Sequence, residues 1–206
     1  MHSRTPASRP GRPRSAAADA AILAATREAL VELGWSKLTL QDVATRAGVA
    51  KTTLYRRWAG KNQLVVDAVA ELFDELRLPD RGSLAADIEG VVLQFAALLD
   101  RPECRSGLMA VVAESTRDDL LRERIRASIV ERQKRLVLEG RARATERGEL
   151  PPEPEDEEEA ARTVDLTFDV VAGAVVHRTL VSGKPADEAW VRSFVRVLLL
   201  GLAAPS

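Results

Sequence analysis

The chain has 206 residues, 46% hydrophobic and 30% charged, enough to bury a sizeable core in one domain or two small ones, which excludes global disorder. A formal net charge of -1 argues on its face against a strongly basic nucleic-acid binder. Cys104 is the single cysteine, which excludes an intrachain disulfide and a cysteine-built zinc site, and no apolar run reaches the length a bilayer span needs.

Residues 1–14 carry Arg4, Arg9, Arg12 and Arg14 among prolines and Gly11 and read as a disordered basic arm. With no apolar stretch at this end, no signal peptide is expected and the chain reads as cytoplasmic. A first helix is expected from an N-cap at Ser15, with Ile22, Ala25, Ala29, Leu30 and Leu33 on its inner face and Gly34 as its stop. A second starts at Thr39, with Asp42 three residues on as an Asp variant of the capping box, and ends at Gly48. A third runs from about Lys51 to Trp58, and a fourth from Lys61 to Arg77 along Leu64, Ala68, Leu72 and Leu76. Beyond the linker Pro79–Gly82, five longer helices fall near 83–100, 104–115, 118–146, 156–182 and 187–203. Breaks at Gly148–Pro152 and Gly183–Pro185 separate the last three, because proline cannot continue a helix. No strand alternation is visible, so the fold class is all-α, with about nine helices.

Residues 39–58 place two short helices around a tight turn at Gly48, with Val43, Val49 and Leu54 closing them into a wedge, the pattern of a helix-turn-helix. The outer face of the second helix carries Lys51, Thr52, Thr53, Tyr55, Arg56 and Arg57, the hydroxyls and guanidinium forks that phosphates and guanine edges accept. Residues 15–77 resemble the N-terminal domain of TetR-family transcriptional regulators. The resemblance rests on Glu32-Leu33-Gly34-Trp35, Leu38-Thr39-Leu40-Gln41-Asp42-Val43-Ala44, Ala47-Gly48-Val49, Thr53-Leu54-Tyr55 and Lys61 with Leu64. Three positions depart from the family pattern: Ala50 and Gly60 stand where hydroxyl or carboxylate caps are common, and Trp58 stands where phenylalanine is usual.

The resemblance implies a three-helix DNA-binding unit (15–77) joined through its fourth helix to a ligand-binding and dimerisation unit (83–206). It further implies a homodimer on a palindromic double-stranded operator, with half-sites about 34–36 Å apart or a multiple of one turn. Lys51, Thr52, Thr53, Tyr55 and Arg56 would face the groove or its phosphates, and Thr39 and Lys61 would hold phosphates at helix N-termini. Arg56 and Arg57 are the candidates for a bidentate guanine contact, and Arg12 and Arg14 for a minor-groove arm. Regulation by a small-molecule effector is implied, most often as repression. The rival reading is a ligand-independent architectural or nucleoid-associated DNA binder.

The last two expected helices carry two apolar stripes: Trp190, Phe194, Val197 and Leu198 on one, Val191, Val195, Leu199 and Leu202 on the other. A helix apolar on two faces needs two partners, so a four-helix dimer interface is expected from Val171, Ala174, Val175, Trp190, Phe194, Val195 and Leu198. Candidate ligand contacts are Phe95, Met109, Val112, Phe168 and His177, in a mainly aliphatic site. Asp165, Asp169 and His177 share one helix and leave open a cationic-ligand site, with no metal assigned. No phosphate loop, HExxH or nucleophile elbow is present, so neither a catalytic residue nor a cofactor is expected.

Divided at Lys61, the charge balance changes meaning. Residues 1–61 hold eleven Lys and Arg against four Asp and Glu, a net of +7, and the remaining 145 carry -8. Near-neutrality is a cancellation between a cationic reader and an anionic body.

Overall fold

The computed structural model describes residues 14–202, and among them every regular element is helical. The helices are α1 Arg14–Lys37, α2 Leu40–Arg46, α3 Lys51–Tyr55, α4 Lys61–Phe73, α5 Leu84–Asp100, α6 Pro102–Ser115, α7 Asp119–Ile125, α8 Glu131–Glu146, α9 Glu157–Val176 and α10 Glu188–Leu202. A π-helical turn, Arg126–Val130, joins α7 to α8 in one unbroken rod, and a second, His177–Val181, extends α9. Counting that rod once leaves nine helices among the described residues.

Several boundaries differ from the sequence reading. The first helix begins at Arg14, one residue before the expected Ser15 cap, so Arg14 heads α1 instead of closing the arm. The rest of the arm, including Arg12, lies outside the described residues. Helix α1 breaks at Gly34 (φ 71°, ψ 170°), as its glycine suggests, and one further turn reaches Lys37. Helix α3 closes at Tyr55 and α4 at Phe73, short of Trp58 and Arg77. After Phe73 the chain tightens into i→i−3 bonds from Glu75 (3.2 Å) and Leu76 (3.1 Å), and the Arg77 guanidinium takes the Leu76 carbonyl at 2.8 Å. That tightening still leaves Leu76 and Leu78 buried.

The core is one contiguous cluster, running from Ile22 and Leu30 through Leu64, Val69, Val92 and Leu99 to Val191 and Val195. Helices α1, α4 and α6 pack mutually, and α5 lies among α6, α8, α9 and α10. Cys104 is fully buried, and burial pushes its thiol up to about 12, so it packs as a small apolar group. No described helix is long and apolar enough to cross a membrane.

One buried carboxylate fixes the entry to α5. Asp87, 1% exposed, accepts from the Arg81 amide at 2.6 Å and from Arg147 Nη1 at 3.0 Å. Glu149 meanwhile accepts from the Leu84 amide at 2.8 Å, so the end of α8 clamps the start of α5. Asp87→Ala removes the acceptor from both donors. It is expected to lower the melting temperature by roughly 5–10 °C, while Asp80→Ala, on the exposed side of the same arginine, changes it little. Differential scanning calorimetry checks both.

Candidate nucleic-acid interface

The helix-turn-helix is built from local chemistry. Thr39 caps α2: its hydroxyl accepts from the Asp42 amide at 3.2 Å while Asp42 accepts from the Thr39 amide at 3.1 Å, a reciprocal capping box. At the other end, Gly48 (φ 64°) carries a Schellman turn, with Gly48 N–H on the Thr45 carbonyl (3.3 Å) and Val49 N–H on the Ala44 carbonyl (3.0 Å). Glycine is required there, because an L side chain at this φ is strained. Helix α3 starts at Ala50 without a side-chain cap, and Leu54, fully buried, pins it to the wedge. Gly60 likewise caps α4 without a side chain, while Gln63 Oε1 accepts from the Ala59 amide at 3.1 Å.

On the outer face of α3, Lys51, Thr52, Tyr55 and Arg56 are exposed and Thr53 is half-buried. The Lys51 ammonium lies 5.6 Å from the Tyr55 ring centroid. Three other expected contacts are already engaged. Arg57, expected on the groove face, is half-buried and ion-paired with Asp19 of α1. Lys61, expected on a phosphate, donates to the Trp35 carbonyl at 2.9 Å and sits 4.6 Å from the Trp35 ring centroid, fastening the end of α1 to α4. The Thr39 hydroxyl is exposed but spent on Asp42, 2.5 Å away, and that carboxylate repels a phosphate. Beside them Arg46 pairs with Glu32 at 2.5 Å, which holds the Glu32 carboxyl below its usual range.

A polar link leads from the recognition helix into the body. Trp58 is buried, and its indole N–H donates to Asp67 Oδ2 at 2.8 Å. Arg124, at the end of α7, donates to both Asp67 oxygens at 2.9 and 2.7 Å. The enlargement from phenylalanine to tryptophan thus supplies a donor as well as volume. Asn62 of α4 reaches Asp118, the N-cap of α7, at 3.2 Å.

Next to Arg124, the rod opens onto an apolar cavity of about 270 Å³ walled by α4, α5, α6, the π turn, α8 and α9. Three of the candidate ligand residues, Phe95, Val112 and Phe168, line it. Met109 and His177 lie outside that lining, and the exposed His177 has Nδ1 3.4 Å from Ser182 Oγ. Asp165 pairs with Lys134 at 2.6 Å, and among the described residues no three His, Cys, Asp or Glu groups could hold a metal. The site residue that sequence reasoning missed is Gln133. Its signal was a polar residue within the apolar stripe Ile129, Leu136 and Gly140 at helical spacing.

The expected dimer residues divide in the structure. Val175, Val195 and Leu198 are buried within the chain's own core and Val171 lines the cavity, because α10 turns its Val191–Val195–Leu198 face onto α5. Ala174, Trp190 and Phe194 are half-buried, the two rings stacked 5.3 Å apart. The side chains left outward are Val197 (68% exposed) and Leu200 (71%) on α10, with Leu166 and Val170 on α9.

Comparison with known proteins follows the same division of the chain. Residues 22–68 match the family model of bacterial regulatory proteins, tetR family. Residues 78–198, more than half of the chain, match that of the tetracyclin repressor-like C-terminal domain. The uncharacterised HTH-type transcriptional regulator YdeS of Bacillus subtilis (strain 168) is 27% identical over 97% of this chain and 96% of its own. The DNA-binding transcriptional repressor TetR of Mycobacteroides abscessus is 28% identical over 90% of this chain and 94% of its own. The crystal structure of the TetR family transcription regulator SCO0332 superposes with a TM-score of 0.71 at 31% identity, covering 91% of this chain and 99% of that one.

Proposed function

The chain belongs to the TetR family of bacterial regulatory proteins, and from that premise we propose that it is a homodimeric repressor of a palindromic operator, released by a small molecule held in the apolar cavity. The observation that carries the reading is the exposed face of α3, where Lys51, Thr52, Tyr55 and Arg56 stand together beyond a rigid Schellman turn. Residues 15–77 then form the DNA-binding unit and 83–206 the regulatory and dimerisation unit. The outward apolar side chains of α9 and α10 meet their counterparts in a second copy, which sets the spacing of the two α3 helices.

Signal passes through the rod. Ile125, Ile129 and Val130 line the cavity, and the adjacent Arg124 holds Asp67, which holds Trp58 at the end of the recognition segment. A single π turn inside a helix recurs at functional sites, and in this position it is a register that a ligand can tighten or loosen. Movement of α7 along its axis is thereby transmitted to the base of α3.

Footprinting the purified protein on DNA flanking its own gene tests the reading. Two protected half-sites about 34–36 Å apart, or a multiple of one helical turn, are expected. Protection that follows no sequence would overturn it in favour of an architectural role.

A further inference from the structure

Resting on the cavity as the effector site, we propose that the effector is an uncharged, largely hydrocarbon molecule bearing one lactam or carboxamide group, and that Gln133 reads that group. Gln133 is 3% exposed and lines the cavity, and neither its Nε2 nor its Oε1 has a hydrogen-bond partner among the described residues. A buried amide left unmatched is costly.

The other polar side chains of the lining are already committed. Arg141 donates to both oxygens of Glu153 at 2.7 and 3.0 Å, and the Thr167 hydroxyl donates to the Thr163 carbonyl at 2.7 Å. The rest of the wall is aliphatic or aromatic: Phe73, Val92, Phe95, Ile129 and Phe168 among them. An anionic ligand would have to compete with Glu153 for Arg141, and a cationic one would find no carboxylate in the lining.

Gln133 presents a donor and an acceptor side by side. A carboxylate could take the Nε2 protons but would set its negative charge against Oε1, and an ammonium would meet the reverse conflict. A cis-amide edge, with C=O and N–H adjacent, matches both atoms at once. Size agrees with this class. An apolar cavity of about 150 Å³ holds a benzene ring, and the cavity here, at about 270 Å³, has room for a bicyclic body.

The test uses the full chain and three probes of similar shape: 2-quinolinone, its N-methyl derivative, and naphthalene. Binding is measured by calorimetry, and the affinity for the footprinted DNA is measured with and without each probe. The wild type is expected to bind 2-quinolinone about tenfold or more tightly than either analogue, the worth of a buried hydrogen bond. Gln133→Leu, which fills the same space without polar atoms, is expected to melt no lower than wild type and to erase or reverse that preference. Equal binding of the three probes, or a preference that survives Gln133→Leu, overturns the role of Gln133 and leaves the cavity as an effector site. Binding of none of them overturns both. A Gln133-dependent preference with no change in DNA affinity supports the chemistry proposed here and overturns the effector reading instead.

Discussion

Asp67→Ala is expected to uncouple the cavity from the DNA-reading helix and to lower the melting temperature by roughly 4–8 °C. Three bonds converge on this carboxylate, one from Trp58 and two from Arg124. Without it the buried indole N–H of Trp58 loses its acceptor, and Arg124, whose Nε is already buried and unmatched, loses its counter-ion. Asp67 and Arg124 are about one third exposed, which keeps the stability loss well below that of a fully buried pair. The functional loss is the larger effect. Allosteric coupling of the usual size is about 5- to 150-fold in DNA affinity, and in Asp67→Ala the ratio of operator Kd with and without a cavity-filling ligand is expected to fall toward one. Fluorescence anisotropy on labelled operator measures that ratio. A ratio equal to wild type would move the signal path to the neighbouring contact between Asn62 and Asp118.

Arg56→Ala and Arg57→Ala are expected to fail in different ways, although the two arginines are adjacent. Arg56 is exposed at the C-cap of α3, and losing a bidentate base contact costs about 1–3 kcal/mol of discrimination, so its variant should lose roughly 5- to 150-fold on the preferred operator and little on unrelated DNA. Its melting temperature should stay at the wild-type value. Arg57 is ion-paired with Asp19, so its variant loosens α3 from α1 and leaves a half-buried carboxylate without its partner. Arg57→Ala should therefore melt lower and bind every sequence more weakly in similar proportion. Competition binding against operator and random duplexes separates the outcomes. Equal loss of sequence preference in both variants would return Arg57 to the groove.

Most of the helix layout was legible because helix signals act over three or four residues. The Thr39–Asp42 capping box, the Gly48 turn and the Leu64–Ala68–Leu72 stripe of α4 depend on neighbours within one turn, and each was found where its spacing placed it. The early ends of α3 and α4 were less visible, because a short helix stops where packing bends the chain.

The residues of the site depended on contacts distant in sequence. Lys61 and Trp35 are 26 residues apart, and Asp67 and Arg124 are 57 apart; no local pattern reveals that either cation is engaged. Helix α10 is apolar on two sides, and its sequence alone could not say which side met α5. The structure turned Val191, Val195 and Leu198 inward and left Val197 and Leu200 outside. Gln133 looked like one polar residue in an apolar stripe until α4, α5 and α9 closed around it.

By itself, then, the sequence determined the helical class, the helix-turn-helix and the charge division between its two parts, since each is written in local spacing or composition. Tertiary structure alone decided which cations of the helix-turn-helix are engaged within the chain, which apolar side chains of α10 stay outward, and which polar group lies unmatched in the cavity. Those depend on what each side chain meets after burial, and burial is set by the whole chain.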